Sequence, residues 1–251
     1  MNLSKKLVKS HFSKSSSSYD DNSCVQALMA KLLLEKLKDK NFDKILEIGC
    51  GTGRLSKLIL DKCNFSKLLV NDLSKQMLLS CKENLKENTN FSKVCFYEQD
   101  AEKLELSDCF NLIISNACFQ WFENLNTVLL KLKENLKQDG TLCFSTFLKG
   151  NFKEIYQLTG LSLNYLDKEQ LESIVKANFK HCTIEYYQKV EHFDTVKALL
   201  QSLKNAGVSG LSQRVWTKGQ LQSFMQEYQR DYQDKEGIPL TYQFALVYLK
   251  D

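Results

Sequence analysis

Apolar and polar positions along this chain change period several times, and the sharpest change falls between Lys44 and Asp72. Ile45, Leu46 and Ile48 form a short apolar, β-branched run that stops at Gly49, Gly51 and Gly53; Leu55, Leu58 and Ile59 then follow at helical spacing. This pattern predicts a strand, a glycine turn and a helix. A second apolar run, Leu68 to Val70, ends in Asp72. Upstream, Cys24 to Lys38 has helical periodicity with Val25, Leu28, Met29, Leu32 and Leu33 on one face, which predicts a plain packing helix. Downstream, Ser74 is placed to cap a helix reaching Leu85, and VCFYEQ predicts a third strand that ends at Asp100-Ala101. NLIISN predicts a fourth strand, Leu125 to Leu136 a helix, Asp139-Gly140 a turn and TLCFSTF a fifth strand. Strands alternating with helices at this rhythm imply an α/β architecture with a doubly wound parallel sheet.

Beyond Lys149 the rhythm breaks. Helical patterns at Glu154 to Leu158, Lys168 to Asn178, Thr195 to Ala206 and Thr217 to Tyr232 surround one strand, Thr183 to Phe193, and only LTYQFALVYL near the end returns to strand. The expected organisation is a core of residues 1–149 with 239–251. An insertion, 150–238, would supply one late core strand and a helical lid over the site. Residues 1–23 begin basic and amphipathic and continue as SKSSSSYDDNS, by composition a flexible linker in which Tyr19 is the exception. A lone aromatic there has little reason to exist unless the arm folds over a ligand, so the arm is expected to be mobile alone and ordered on binding.

Composition changes this picture little. With 251 residues, 43% hydrophobic and 25% charged, the chain reads as an ordinary globular protein able to bury a large core. No apolar stretch approaches the roughly 20 residues needed to span a bilayer, and MNLSKKLVKSHF is too polar for a signal peptide. A cytoplasmic monomer without membrane or nucleic-acid partners is expected. The nine cysteines lie at 24, 50, 63, 81, 95, 109, 118, 143 and 182 without a C-x-x-C pair, beside only three histidines, which favours scattered reduced thiols over a metal site. A net charge of +4 permits an acidic partner without demanding one.

The chemistry sits at the strand ends. Glycines let a backbone turn tightly and approach a ligand, and the helix beyond them offers unpaired N–H groups. An acid closing the next strand, Asp72, is placed to accept from ribose hydroxyls. The spacing G-x-G-x-G, with Glu47 two residues ahead and Arg54 next after it, departs from the dinucleotide pattern G-x-G-x-x-G. E-I-G-C-G-T-G instead resembles motif I of class I S-adenosylmethionine (SAM) methyltransferases, which have a Rossmann-like sheet. The cofactor-binding candidates are Glu47, Gly49, Cys50, Gly51 and Gly53 at the turn, Asp72, Leu73 and Met77 after the second strand, and Asp100, Ala101 and Asn116 at the next two strand ends.

More selective segments extend the likeness. F-S-K-S-S-S-S-Y-D at 12–20, S-N-A-C-F-Q-W at 115–121, F-S-T-F-L-K-G-N-F-K-E-I at 144–155, S-L-K-N-A-G at 202–207, R-V-W-T-K-G-Q-L at 214–221 and P-L-T-Y-Q-F at 239–244 resemble the biotin-pathway malonyl-[acyl-carrier protein] O-methyltransferases. The resemblance implies methyl transfer from SAM to the free carboxylate of a malonyl thioester carried by an acyl carrier protein, so that fatty-acid synthesis can extend it toward pimelate. It implies a substrate site at Tyr19, Gln120 and Trp121, walled also by Phe122, with Lys204 and Arg214 as carboxylate anchors. Arg214, in the otherwise uncharged run SGLSQRVWT, is the stronger of the two, because a guanidinium pairs with a carboxylate through two parallel hydrogen bonds. An ionised carboxylate needs no general base, and His11, His181 and His192 all lie away from the strand ends. A quinone C-methyltransferase would need such a base. An adenine-N6 methyltransferase would carry prolines after Asn116, and a non-catalytic relative has no reason to keep the glycines with Asp72 and Asp100.

Overall fold

A computed structural model describes residues 5–208 and 216–251. Seven strands form one sheet: β1 (Lys44–Ile48), β2 (Lys67–Asp72), β3 (Val94–Glu98), β4 (Phe110–Ser115), β5 (Leu136–Phe147), β6 (His181–Phe193) and β7 (Ile238–Lys250). Their order is β3-β2-β1-β4-β5-β7-β6. The first five run parallel, while β7 enters antiparallel between β5 and β6. The chain reverses its direction of travel across the sheet between β1 and β4, and ligands of open α/β sheets bind beyond the carboxyl ends at such a switch.

Strands buried on both faces need apolar side chains in both directions, hence the continuous apolar runs. Ile45, Leu68, Val70, Leu112 and Ile114 share one core with α2 (Cys24–Glu35), α3 (Arg54–Lys62) and α4 (Lys75–Leu85). Leu46, Ile48 and Ile113 share the other with α5 (Leu125–Glu134) and α7 (Lys168–Asn178). Thus α7, although inside 150–238, packs beside α5 as a sheet helix. The remaining helices of that stretch, α6 (Lys153–Thr159), α8 (Val196–Asn205) and α9 (Lys218–Tyr232), join the first core over the start of β7 through Ile155, Leu199, Phe224 and Tyr228.

Two local expectations fail for identifiable reasons. Asp139-Gly140 is not a turn between elements: β5 runs through it, with Asp139 in the left-handed region (φ 61°) and a register jump between the pairs Phe110–Leu136 and Leu112–Thr141. The turn residues are absorbed as a bulge. Nor is the amino-terminal arm a linker. Lys5–Ser15 is a helix, α1, and the serines after it bond into the fold: Ser15 Oγ donates to the carbonyl of Lys204, and Ser18 Oγ to that of Asn205. Composition alone is blind to such distant acceptors.

Glu47 shows how alternation decides a side chain's fate. It shares the face of Ile45, is 1% exposed, and accepts a 2.6 Å hydrogen bond from Ser56 Oγ of α3. Burial pushes its carboxyl up to about 8 from the ordinary 4.5, against the opposing pull of Ser56. Between these values the folded chain holds a proton that the unfolded chain has released, so stability should fall as pH rises through this window, with a slope of about 1.4 kcal/mol per pH unit. Glu47→Gln should abolish that component of the slope. Urea unfolding at pH 5.5 and 7.5 measures it, and identical slopes in the two proteins would refute the assignment.

Candidate functional site

Beyond the carboxyl ends of β1, β2 and β4 lies a cleft with about 740 Å³ of empty space, a size suited to a small-molecule ligand. Its floor is the glycine turn. Gly49 (φ +68°) and Gly53 (φ +92°) are left-handed, and a Cβ on either would fall 2.5 Å from Cys118 Sγ or 2.7 Å from Cys81 Sγ. Gly49 and Gly51 face the cleft, while Gly53, the buried Cys50 and Glu47 support the turn from beneath without lining it. Asp72 lines it too. Its Oδ2 accepts from the Gly51 N–H at 2.9 Å and its Oδ1 from the Ser74 N–H at 2.8 Å, which leaves lone pairs for a diol. Burial raises its carboxyl above the usual range, against the pull of these N–H groups.

Leu73 and Met77 add an apolar wall, and Asp100 and Ala101 close the side beyond β3. Asn116 also lines the cleft, but its functions are committed: Nδ2 donates to the Gln26 carbonyl at 3.0 Å and Oδ1 accepts from Ser145 Oγ at 2.7 Å. The loop after β4 is thereby fixed to α2 and β5. Ala117 in that loop is held at φ 50°, a strained backbone of the kind that gathers at functional sites.

The roof is the arm, which the periodicity did not place. Lys5, Val8 and Phe12 of α1 and Tyr19 line the cleft, with Trp121 and Phe122 facing them. Phe12 meets Trp121 edge-on at 5.5 Å and Tyr19 at 6.1 Å. Lys5 Nζ bonds both oxygens of Asp100 at 2.6 Å and also pairs with Glu102, while Lys9 pairs with Glu98 at 2.9 Å. Burial depresses the Lys5 ammonium, but the two carboxylates outweigh it and its pKa is raised. At the other end of the arm, Arg54 donates to the carbonyls of Ser23 and Asp20, and Thr52 Oγ1 to Asp20 Oδ1 at 2.7 Å. The glycine turn and the arm therefore hold each other.

Gln120 turns away from this cleft into a smaller adjoining chamber, its Nε2 donating to the Ala117 carbonyl at 2.6 Å. Lys204 is not brought to the site; its side chain is exposed on α8 and lines neither cavity. Arg214 lies outside the described residues. No histidine lines the cleft among the described residues, burial pushes the Cys118 thiol up to about 12 and also raises the Tyr19 phenol, and both carboxylates are already hydrogen-bonded, Asp72 to backbone N–H groups and Asp100 to Lys5. No cluster of His, Cys, Asp or Glu among the described residues could hold a metal ion, and no helix there is long and apolar enough to cross a membrane.

Two outcomes follow from this geometry. Asp72→Ala removes both the ribose acceptor and the tie to Gly51; since a hydrogen bond to a charged group is worth roughly 1.5 to 3 kcal/mol, calorimetry should show adenosyl-ligand affinity falling at least about ten-fold. Lys5→Ala should speed proteolytic cleavage within α1 several-fold at low salt while leaving the core intact, and an unchanged rate would mean that the ion pairs do not hold the arm.

The methyltransferase-domain family matches residues 38–227. A malonyl-[acyl-carrier protein] O-methyltransferase of Calditerrivibrio nitroreducens is 35% identical over 238 residues, 93% of this chain and 92% of that protein. Another, of Haemophilus ducreyi, is 31% identical over 243 residues, 96% of this chain and 94% of its own. Among solved structures, the YcgJ protein of Bacillus subtilis shares the fold with a TM-score of 0.65 at 14% identity, covering 88% of this chain and 96% of its own. Phosphoethanolamine N-methyltransferase 2 of Haemonchus contortus, solved in complex with SAM, gives a TM-score of 0.55 at 16% identity, over 88% of this chain and 52% of that one.

Proposed function

The chain belongs to the family of malonyl-[acyl-carrier protein] O-methyltransferases, within the wider methyltransferase-domain family, and we propose from this that it methylates the free carboxylate of a malonyl thioester on an acyl carrier protein. The ester so formed would be the cap that lets chain extension proceed toward pimelate. The observation that carries this reading is a cleft roofed by aromatic rings and lacking a disengaged base among the described residues.

The residues present fit SAM. Asp72 has lone pairs left for ribose hydroxyls, Gly49 and Gly51 admit close backbone approach, and Leu73, Met77 and Ala101 offer an apolar slot beside Asp100. When bound, SAM supplies a methyl group on a sulfonium, an electrophile needing no further activation. A carboxyl with a pKa of about 4 is ionised at neutral pH, so its oxygen attacks without proton removal. The chain's part is to orient that oxygen and keep water out. Phe12, Tyr19 and Trp121 close the approach, and where opposite charges cancel in the transition state a dry site leaves little solvent to reorganise. A ring-carbon acceptor would have to shed a proton; Asp72 and Asp100, the carboxylates of the cleft, already hold backbone N–H groups and Lys5. That favours the carboxylate over the quinone.

The protein partner enters through charge. Lys149, Lys153, Lys204 and Lys218 are exposed, and Lys204 belongs to α8 beside the end of the arm. We place the carrier protein against this basic side, with α6, α8 and α9 as the lid. Mass spectrometry of malonyl-carrier protein incubated with enzyme and SAM should show the added methyl. The Michaelis constant for the carrier-bound substrate should rise with ionic strength, because exposed charges are screened beyond about 8 Å at physiological salt. A constant indifferent to salt would remove the basic side from the docking account, and an unmodified carrier would remove the proposed reaction.

A further inference from the structure

The cleft does not end at its aromatic roof. A second chamber, with about 330 Å³ of empty space, shares Phe12, Tyr19, Ala117 and Trp121 with it. Its own walls include Gln120, Phe147, Asn151, Phe152, Tyr165 and Val208, and no charged side chain lines it among the described residues. A carboxylate pushed into this chamber would meet no cation among the described residues, and an unpaired buried charge is costly. A neutral acceptor group fits its chemistry.

Such a group would find a donor prepared for it. Asn151 is 2% exposed, in the turn after β5, and its Oδ1 accepts from the Gln243 N–H of β7 at 3.3 Å. A backbone N–H can only donate, so the amide orientation is settled and Nδ2 is the group facing Tyr165, donating to its oxygen at 3.0 Å. The phenol oxygen is thus the acceptor of that bond and its own proton remains to be given. Among the described residues that proton is given to no partner. The loop that carries Tyr165 is fastened where the Lys149 N–H donates to the Leu166 carbonyl at 2.9 Å. Burial raises the phenol well out of the titrating range, which keeps the proton in place.

We propose that this chamber receives the thioester end of the substrate, and that Tyr165, held by Asn151, donates its hydroxyl proton to the thioester carbonyl oxygen. The inference rests on the malonyl-thioester reading above. There the attacking carboxylate oxygen must lie at the methyl group, in the main cleft. The carbonyl is one methylene further on, so it falls on the far side of the shared Tyr19–Trp121 wall. Tyr165 then sets specificity: a thioester carbonyl satisfies the donor, whereas free malonate would bring a second carboxylate into a chamber with no charged side chain among its described lining residues. Asn151 acts through Tyr165 and is a positioning residue.

The test uses the full chain, SAM and malonyl-pantetheine. Tyr165→Phe keeps the ring and removes only the donor, and should raise KM for the thioester about ten-fold, as for a buried acceptor left unpaired, with kcat and SAM affinity essentially unchanged. Asn151→Asp replaces the donor by an acceptor that captures the Tyr165 proton, and should raise KM comparably. It also supplies the test should Tyr165→Phe lower thermal stability. Because both variants remove the same bond, the double variant should lose little more than either alone. Wild-type enzyme should leave free malonate unmethylated. If the wild type methylates malonyl-pantetheine and both variants retain its KM, or their effects simply add, the chamber assignment falls while the reaction stands. If the wild type methylates no malonyl thioester, both fall together.

Discussion

Everything at the carboxyl edge of the sheet depends on where the carboxylate of Asp72 is held. It closes β2 and accepts from Gly51 of the turn after β1 and from Ser74 at the start of α4. Three elements are tied to one anion by backbone donors, which need no rotamer to be frozen. The turn can keep that shape because Gly49 and Gly53 are left-handed and admit Cys118 and Cys81 where a methyl would clash. A carboxylate with two of its lone pairs spent on backbone donors is both a structural tie and, through the others, a hydrogen-bond acceptor for a ligand's hydroxyls.

The arm completes what the turn begins. Thr52, between the last two glycines, and Arg54, just beyond them, grip Asp20 and Ser23, and Lys5 reaches Asp100 and Glu102 on the opposite rim. Between these anchors Phe12 meets both Trp121 and Tyr19 edge-on. Ion pairs at partly exposed positions are individually weak and screened by salt. A roof held by them over an apolar contact can close without becoming a permanent wall. Asp100 lines the cleft and is at the same time one of the arm's anchors, so the rim of the cleft and the roof share one carboxylate.

Behind that roof the chemistry changes from charged to neutral. The main cleft carries Asp72, Asp100 and Lys5, whereas the polar groups of the adjoining chamber are, among the described residues, amides and hydroxyls set among aromatic rings. A substrate with one anionic and one uncharged end is sorted by that contrast, and the shared residues, Tyr19 and Trp121 among them, sit where the two ends meet.

The parallel sheet, its helices and most of the strand ends were legible in the sequence, since a glycine turn, a two-residue alternation and a helical stripe are each written within a few neighbouring positions. Gly49, Gly51, Asp72, Asp100 and Trp121 accordingly face the cleft they were expected to face. Glu47 and Lys204 do not: the first lies on the inner face of β1 against Ser56, and the second projects from an exposed side of α8. The serine arm read as a linker because its acceptors are distant; Lys5 finds Asp100 at a separation of 95 residues and Ser18 finds Asn205 at 187. Tyr165 carried no local mark at all, for its donor exists only once Gln243 of β7 has oriented Asn151. Local periodicity could determine which elements form and which strand ends carry acids. Only the assembled sheet, by bringing remote donors and acceptors within 3 Å or so of one another, decided which of those residues hold the fold and which remain available to a ligand.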